Sequence, residues 1–169
     1  MQTGYKVLDV MTNKPIIAAK DMTLKDAARF MEESNVNSIL IVESESPLGI
    51  VTDEDFVRKS IAKGLDPKKL QLKDIMTSDL VTISPDKDIY DALLLMREQN
   101  IRQLPVISDN KLEGFLTLKD ILKIQPELID LVVEKYELRE ADKYDEIEDD
   151  GSDGFFKKLK LKISKRKSR

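Results

Sequence analysis

Residues 49–56 read GIVTDEDF, and residues 114–121 read GFLTLKDI. Both fit one frame: glycine, two apolar residues, threonine, two variable residues, aspartate, one apolar residue. They stand 65 positions apart, and sliding the chain on itself by that offset aligns Asp9–Arg58 with Asp74–Lys123 without a gap. Identities fall at 12 of the 50 aligned positions, among them Asp9, Met11, Thr12, Asp26, Ala27, Met31, Asn35, Gly49, Thr52 and Asp55. The period is longer than that of most solenoid repeats. The fold therefore rests on two copies of one small unit.

Each copy opens with Asp, an apolar residue, Met and Thr: DVMT at 9–12 and DIMT at 74–77. A short extended stretch follows, PIIAA and then LVTIS. Thr23 and Asp88 are placed to cap a helix, with Asp26 and Asp91 three residues on, close to the capping-box pattern. Leu24, Ala27, Ala28 and Met31 recur at helical spacing, as do Ile89, Ala92, Leu93 and Met96, which predicts an apolar stripe on each helix. Asn35 and Asn100 mark the helix ends. The runs SILIV and LPVI are short, apolar and rich in branched side chains, and read as buried strands. Polar turns (ESESP, SDNKLE) lead to second strands, GIV and GFL, after which Thr52 and Thr117 begin second helices. The order is strand, helix, strand, strand, helix, twice: an α+β fold. A unit of some sixty residues buries only about 60% of its unfolded surface, so the two copies are expected to share a core.

The chain has 169 residues, no cysteine and no histidine. Disulfides, thiolate chemistry and the commonest metal ligand and general base are excluded. No nucleophile–base constellation, metal cluster or Walker-type glycine loop is present, so no enzyme is expected. No apolar run approaches the ~20 residues of a membrane span, and MQTGYKVLDV lacks the pattern of a signal peptide; a cytoplasmic location is expected. The net charge is −4, but residues 154–169 carry eight Lys or Arg and no acid, leaving −12 on the first 153 residues. Nine acids lie in residues 137–153, against Arg139 and Lys143.

The repeated Thr-x-x-Asp has two readings. After a strand it is a helix start with a capping box, the hydroxyl capping one amide and the carboxylate another. It also places a carboxylate and a hydroxyl beside the free N–H groups of a helix terminus, which suits a phosphorylated ligand. The two readings are compatible.

The doubled D-h-M-T … G-h-h-T-x-x-D-h frame, where h is apolar, resembles the CBS-domain pair, named after cystathionine β-synthase. The resemblance covers residues 5–125 and sets the boundaries of repeat 1 at 5–64 and of repeat 2 at 70–125. It implies two tandem β-α-β-β-α repeats packed as a pseudo-twofold pair, which binds adenosine-containing ligands in clefts between repeats and pairs further into a homodimer. It implies a regulatory module with no required cofactor. By the family's pattern Asp55 and Asp120 take ribose hydroxyls, Thr52 and Thr117 lie near ribose and phosphate, and Gly49 and Gly114 admit close backbone approach; otherwise the glycines only lead a turn into a strand. The position before the buried strand often supplies a cation in this family. It is Arg102 in repeat 2 and the neutral Asn37 in repeat 1. A second cation position holds Lys119 in repeat 2 and Glu54 in repeat 1. The site at Thr52 and Asp55 then borrows Lys119, and the site at Thr117 and Asp120 uses Arg102 but faces Glu54. The other reading makes Arg102 and Lys119 ordinary surface charges. So few cations disfavour a triphosphate, whose burial without counter-charge is costly. AMP, ADP or S-adenosylmethionine is favoured over ATP.

Beyond the repeats, Pro126 suits a first helical turn, and Leu128, Leu131, Val132 and Tyr136 recur at helical spacing. An amphipathic helix is predicted over 126–145. Residues 146–169 read as a flexible acidic linker and a basic tail. The tail carries an alternative function, a nucleic-acid-associated protein using residues 155–169 as an electrostatic arm on RNA or acidic lipid. A regulated partner protein is also expected, its identity open.

Overall fold

A computed structural model describes residues 2–130. Met1–Leu128 form one compact unit and Ile129–Arg169 a second, of which Ile129 and Asp130 are described. The elements of the first repeat are α1 (Val7–Val10), β1 (Ile17–Ala18), α2 (Leu24–Ser34), β2 (Ser38–Glu43), β3 (Ser46–Thr52) and α3 (Asp53–Asp55). Those of the second are α4 (Leu72–Ile75), α5 (Ile89–Gln99), β4 (Gln103–Ser108), β5 (Lys111–Thr117) and α6 (Leu118–Ile124).

The capping residues act as the spacing predicts. Thr23 Oγ1 accepts from the Asp26 N–H at 3.2 Å, and the Asp88 carboxylate accepts from the Tyr90 N–H at 2.8 Å. Helices α2 and α5 end at Asn35 and Asn100, with φ of 52° and 57°; asparagine tolerates this left-handed cap better than most residues. Leu24, Ala27 and Met31 of α2 are buried, as are Ile89, Ala92, Leu93 and Met96 of α5.

Strands β2 and β3 pair antiparallel, as do β4 and β5. Each hairpin turns on two residues, Ser44–Glu45 and Asp109–Asn110, all four with positive φ. That is the left-handed turn whose twist matches paired strands. The strands thus run further into the polar turns than the sequence indicates. Both hairpins also slip register at the same repeat position, between Ile41 and Val42 and between Val106 and Ile107. The slips skip Leu48 and Glu113, the residues just before Gly49 and Gly114.

The first strand differs between the repeats. β1 pairs parallel with β2, and the Leu40 N–H donates to Ile16 O at 3.2 Å. In repeat 2 the predicted strand LVTIS reduces to one parallel bridge, Ile83 to Val106. Pro105 stands where repeat 1 has Leu40, and proline has no N–H to give to Val81.

The D-h-M-T segments trade places. Residues 5–12 bond to repeat 2: Val7 N–H to Lys87 O (2.8 Å), Ile89 N–H to Tyr5 O (3.0 Å), and a reciprocal pair between Thr12 and Phe115 (2.8 and 2.9 Å). Residues 70–77 bond to repeat 1: Leu24 N–H to Leu70 O (2.9 Å), Leu72 N–H to Met22 O (3.0 Å), and a reciprocal pair between Thr77 and Ile50 (2.9 and 3.0 Å). Leu72 and Ile75 join the core of Ala18, Leu24, Ala27, Met31, Ile39, Ile41 and Val51. The boundary at 5–64 therefore cuts across the packing: DVMT completes repeat 2, and DIMT completes repeat 1. The two copies are interlocked as well as stacked.

The second helices also diverge. α6 is regular, whereas α3 passes into a π-helical turn at Phe56–Ser60 and a 3₁₀ turn at Ile61–Lys63. Residues Pro126–Ile129, expected to open an α-helix, form a 3₁₀ turn with Leu128 buried. The remainder of the 126–145 helix and the 146–169 linker and tail lie outside the described residues.

Candidate functional site

Ser38 pairs with Thr52 across β2 and β3, and Gln103 pairs with Thr117 across β4 and β5. Ser38 Oγ donates to Gln103 Oε1 at 2.9 Å, between the repeats. The two Thr-x-x-Asp turns thus stand on either side of this central bond.

Both turns are complete capping boxes. Thr52 gives its N–H and its hydroxyl to Asp55 Oδ2, each at 2.9 Å, and the Asp55 N–H returns to Thr52 Oγ1 at 3.3 Å. Thr117 does the same with Asp120 Oδ2, at 3.1 and 2.6 Å, and the Asp120 N–H returns at 3.2 Å. One carboxylate oxygen of each aspartate, Oδ2, is spent on the cap, and Oδ1 lies outside it.

The exchanged segments supply the opposite walls. Thr77 lies beside Ile50, two residues before Thr52, and Thr12 lies beside Phe115, two residues before Thr117. Gly49 and Gly114 explain how the segments come so close. A Cβ at Gly49 would stand 2.9 Å from both Met76 Sδ and Thr77 O, and one at Gly114 would stand 2.5 Å from Met11 Sδ and 2.9 Å from Thr12 O. The close approach expected at these glycines is made, but by the chain itself. They sit buried inside β3 and β5, not at a turn.

The cation positions are less converged. The carbonyls of Asn37 and Arg102 accept from the N–H groups of Asp53 (3.0 Å) and Leu118 (2.8 Å), tying each buried strand to the helix after it. The Arg102 and Lys119 side chains are exposed. Glu54 pairs with Arg58 of its own turn at 2.5 Å.

Three residues the sequence reading passed over enter the site. Gln103 and Ser38 were legible as repeat mates, being 65 apart, but polar residues at the start of apolar strands gave no reason to pair them. Lys59 donates to Asp55 Oδ1 at 2.8 Å, to Ile75 O at 2.7 Å and weakly to Thr77 Oγ1 at 3.4 Å. Its Asp-to-Lys spacing of four was visible as a helical ion-pair signal.

A separate open cavity of about 420 Å³ lies towards the hairpin ends. It is lined by Lys14, Pro15 and Ile17 with Lys111, Leu112 and Glu113, and contains none of the sequence-predicted site residues. Among the described residues no cluster of acids is arranged to hold a metal, and no helix is long and apolar enough to cross a membrane.

Comparison with known proteins accounts for this architecture. The CBS domain family model matches twice, at residues 7–62 and 72–127. An uncharacterised protein of Methanopyrus kandleri is 35% identical over 129 residues, which cover 75% of this chain and 63% of the relative's own length. Among solved structures, the CBS domain pair of protein MJ0100, in complex with 5′-methylthioadenosine and S-adenosyl-L-methionine, aligns with a TM-score of 0.65 and 27% identity over 71% of this chain and 98% of that one. A hexameric CBS-CP12 protein from bloom-forming cyanobacteria aligns with a TM-score of 0.64 and 28% identity, over 70% of this chain and 66% of that one. The exchanged D-h-M-T segments, the doubled capping boxes and these matches have one explanation: the chain belongs to the CBS-domain family, as a tandem pair.

Proposed function

We propose that the chain is a non-catalytic regulatory module that binds an adenosine-containing ligand in the clefts between its repeats, with Asp55 and Asp120 as the candidate ribose acceptors. The observation that carries the reading is the pair of Thr-x-x-Asp turns, each facing an exchanged D-h-M-T segment with one carboxylate oxygen outside the cap. A ribose diol can donate to that oxygen, and a hydrogen bond to a charged acceptor contributes about 1.5–3 kcal/mol. The adenosine complexes of the MJ0100 domain pair support the ligand class.

Thr52 and Thr117 hold the two carboxylates, while Gly49 and Gly114 let the cleft walls close. Arg102 and Lys119 are the cations within the repeats that would meet phosphate. Two exposed cations suit AMP, ADP or the cationic S-adenosylmethionine better than ATP, which carries about four negative charges to be matched. No cofactor is required. Ligand binding shifts the population of cleft conformations, and a partner protein reads the shift.

The assembly is proposed to be a homodimer, covering exposed apolar residues such as Val57, Ile61 and Leu65 by a symmetric contact. The hexameric relative makes the higher assembly the competing outcome.

The test is a thermal-shift screen with AMP, ADP, ATP, S-adenosylmethionine and NAD, followed by calorimetry. A ligand that binds only the folded state raises the melting temperature. The Asp55→Asn/Asp120→Asn double variant keeps most of the capping capacity and is expected to lose at least tenfold in affinity. Unchanged affinity in that variant sinks the assignment.

A further inference from the structure

The two repeats treat their aspartates differently. In repeat 1, Asp55 Oδ1 receives Lys59 Nζ at 2.8 Å. The same ammonium donates to Ile75 O at 2.7 Å and approaches Thr77 Oγ1 at 3.4 Å. Ile75 and Thr77 belong to the exchanged DIMT segment, so Lys59 ties the Thr-x-x-Asp turn to the opposite wall of its own cleft. Position 124 is the repeat mate of Lys59, and it is Ile124, which cannot donate. Among the described residues, the cation paired with Asp120 Oδ1 is Lys123, at 3.8 Å and with a side chain 63% exposed, against 37% for Lys59. Among the described residues, Asp55 therefore has both oxygens engaged by short contacts, and Asp120 has one.

We propose that the two clefts are inequivalent: Lys59 latches the cleft at Asp55, and the chain takes its adenosine ligand at Asp120. The inference rests on the functional reading above and assigns its stoichiometry to one side chain. A ribose hydroxyl entering at Asp55 must compete with an ammonium that is anchored on two further acceptors. At Asp120 it meets an oxygen whose ion-pair partner among the described residues is a solvated lysine at the edge of contact, an arrangement worth little. The latch also bridges the cleft, because its acceptors stand on both walls. The π-helical turn that carries Lys59, Phe56–Ser60, has no counterpart in α6, so the difference extends to the backbone that aims the side chain.

The experiment is isothermal titration of the full chain with AMP, ADP and S-adenosylmethionine in turn. The wild type is expected to bind one equivalent per chain of the ligand it accepts, and Asp120→Asn to weaken that binding at least tenfold. Lys59→Ile, which copies position 124, and Lys59→Met, which keeps an unbranched stem, are each expected to raise the number to two. Adding Asp55→Asn to either is expected to return it to one. Thermal unfolding of each variant checks that it is folded, and the pair of substitutions guards against one that is not. Two equal equivalents in the wild type, or one equivalent in both folded Lys59 variants, overturns the latch while leaving the ligand reading intact. No binding of any of the three ligands by wild type or variants overturns the ligand reading and the latch together.

Discussion

Ser38 Oγ donates to Gln103 Oε1 at 2.9 Å, joining two residues that occupy the same position in successive repeats. The pseudo-twofold axis passes through this bond, because an operation that maps each repeat on the other exchanges its ends. Symmetry makes the positions equivalent, but a hydrogen bond needs a donor and an acceptor. The unlike pair Ser and Gln supplies both. Ser38 is 7% exposed and Gln103 half-buried, so losing the hydroxyl removes a donor from a partly shielded Gln103 amide oxygen. Ser38→Ala is expected to cost about 1 kcal/mol, measured by urea unfolding. A double cycle with Gln103→Leu should recover part of the loss, since removing both partners leaves nothing unpaired. A cycle with no coupling would show the bond to be idle.

Gly49 and Gly114 are expected to be the most sensitive glycines of the pair. An added Cβ meets the backbone carbonyls of Thr77 and Thr12 at 2.9 Å, and a carbonyl in a reciprocal hydrogen-bond pair cannot swing aside. Gly49→Ala and Gly114→Ala should each destabilise by about 1–3 kcal/mol, in the range of overpacking. Gly64 is the control. Its φ is +65° with nothing within 4 Å of a built Cβ, so Gly64→Ala should cost only about 1 kcal/mol. Equal melting temperatures for the three variants would contradict the packing explanation.

Asp88 makes acid stability depend on the start of the chain. Burial is the largest single influence on its carboxyl and pushes the pKa up. Hydrogen bonds from Tyr90 N–H, the Thr3 hydroxyl and the Gly4 and Thr3 N–H groups together outweigh it and hold the pKa below the usual aspartate value. The folded state therefore binds this proton less readily than the unfolded chain, whose value is about 3.9. Its contribution is fully present above that value and is lost as pH falls through the lower, folded one. Asp88→Ala should lower stability at neutral pH by about 1–2 kcal/mol through the lost cap and flatten the acid limb below about pH 4. Retention of the wild-type acid limb in the variant would assign that limb to other carboxylates.

Local signals in the sequence predict local structure here, and pairing between distant segments escapes them. Thr23, Asp88, Asn35 and Asn100 announce their helix ends because capping is decided within four residues. The capping boxes at Thr52 and Thr117 are legible for the same reason. The exchange of DVMT and DIMT between repeats is not, because both segments fit either copy and only the three-dimensional path chooses. Lys59 belongs between the two cases. Its i, i+4 relation to Asp55 is local, but its contacts with Ile75 and Thr77 depend on the exchange.

Pro105 offers a sharper test of that division. Repeat 1 closes its first strand with Leu40 N–H to Ile16 O at 3.2 Å. Repeat 2 keeps the later bonds of the same ladder, Ile83 N–H to Pro105 O at 3.1 Å and Ile107 N–H to Ile83 O at 2.9 Å. The bond missing ahead of them is the one proline cannot make, from position 105 to Val81 O. Pro105→Leu copies repeat 1 and restores that donor. The amide of residue 105 should then be protected from hydrogen exchange alongside Ile107, and the extended stretch 81–83 should pair as a strand of two or more residues. Stability reflects opposing effects: a regained ladder bond of about 1 kcal/mol against the unfolded-chain entropy that proline had removed, about 0.4–1 kcal/mol. A near-neutral change in unfolding free energy is therefore expected together with a new protected amide. Rapid exchange at residue 105 in a folded variant would show that the short first strand of repeat 2 has a cause other than the proline.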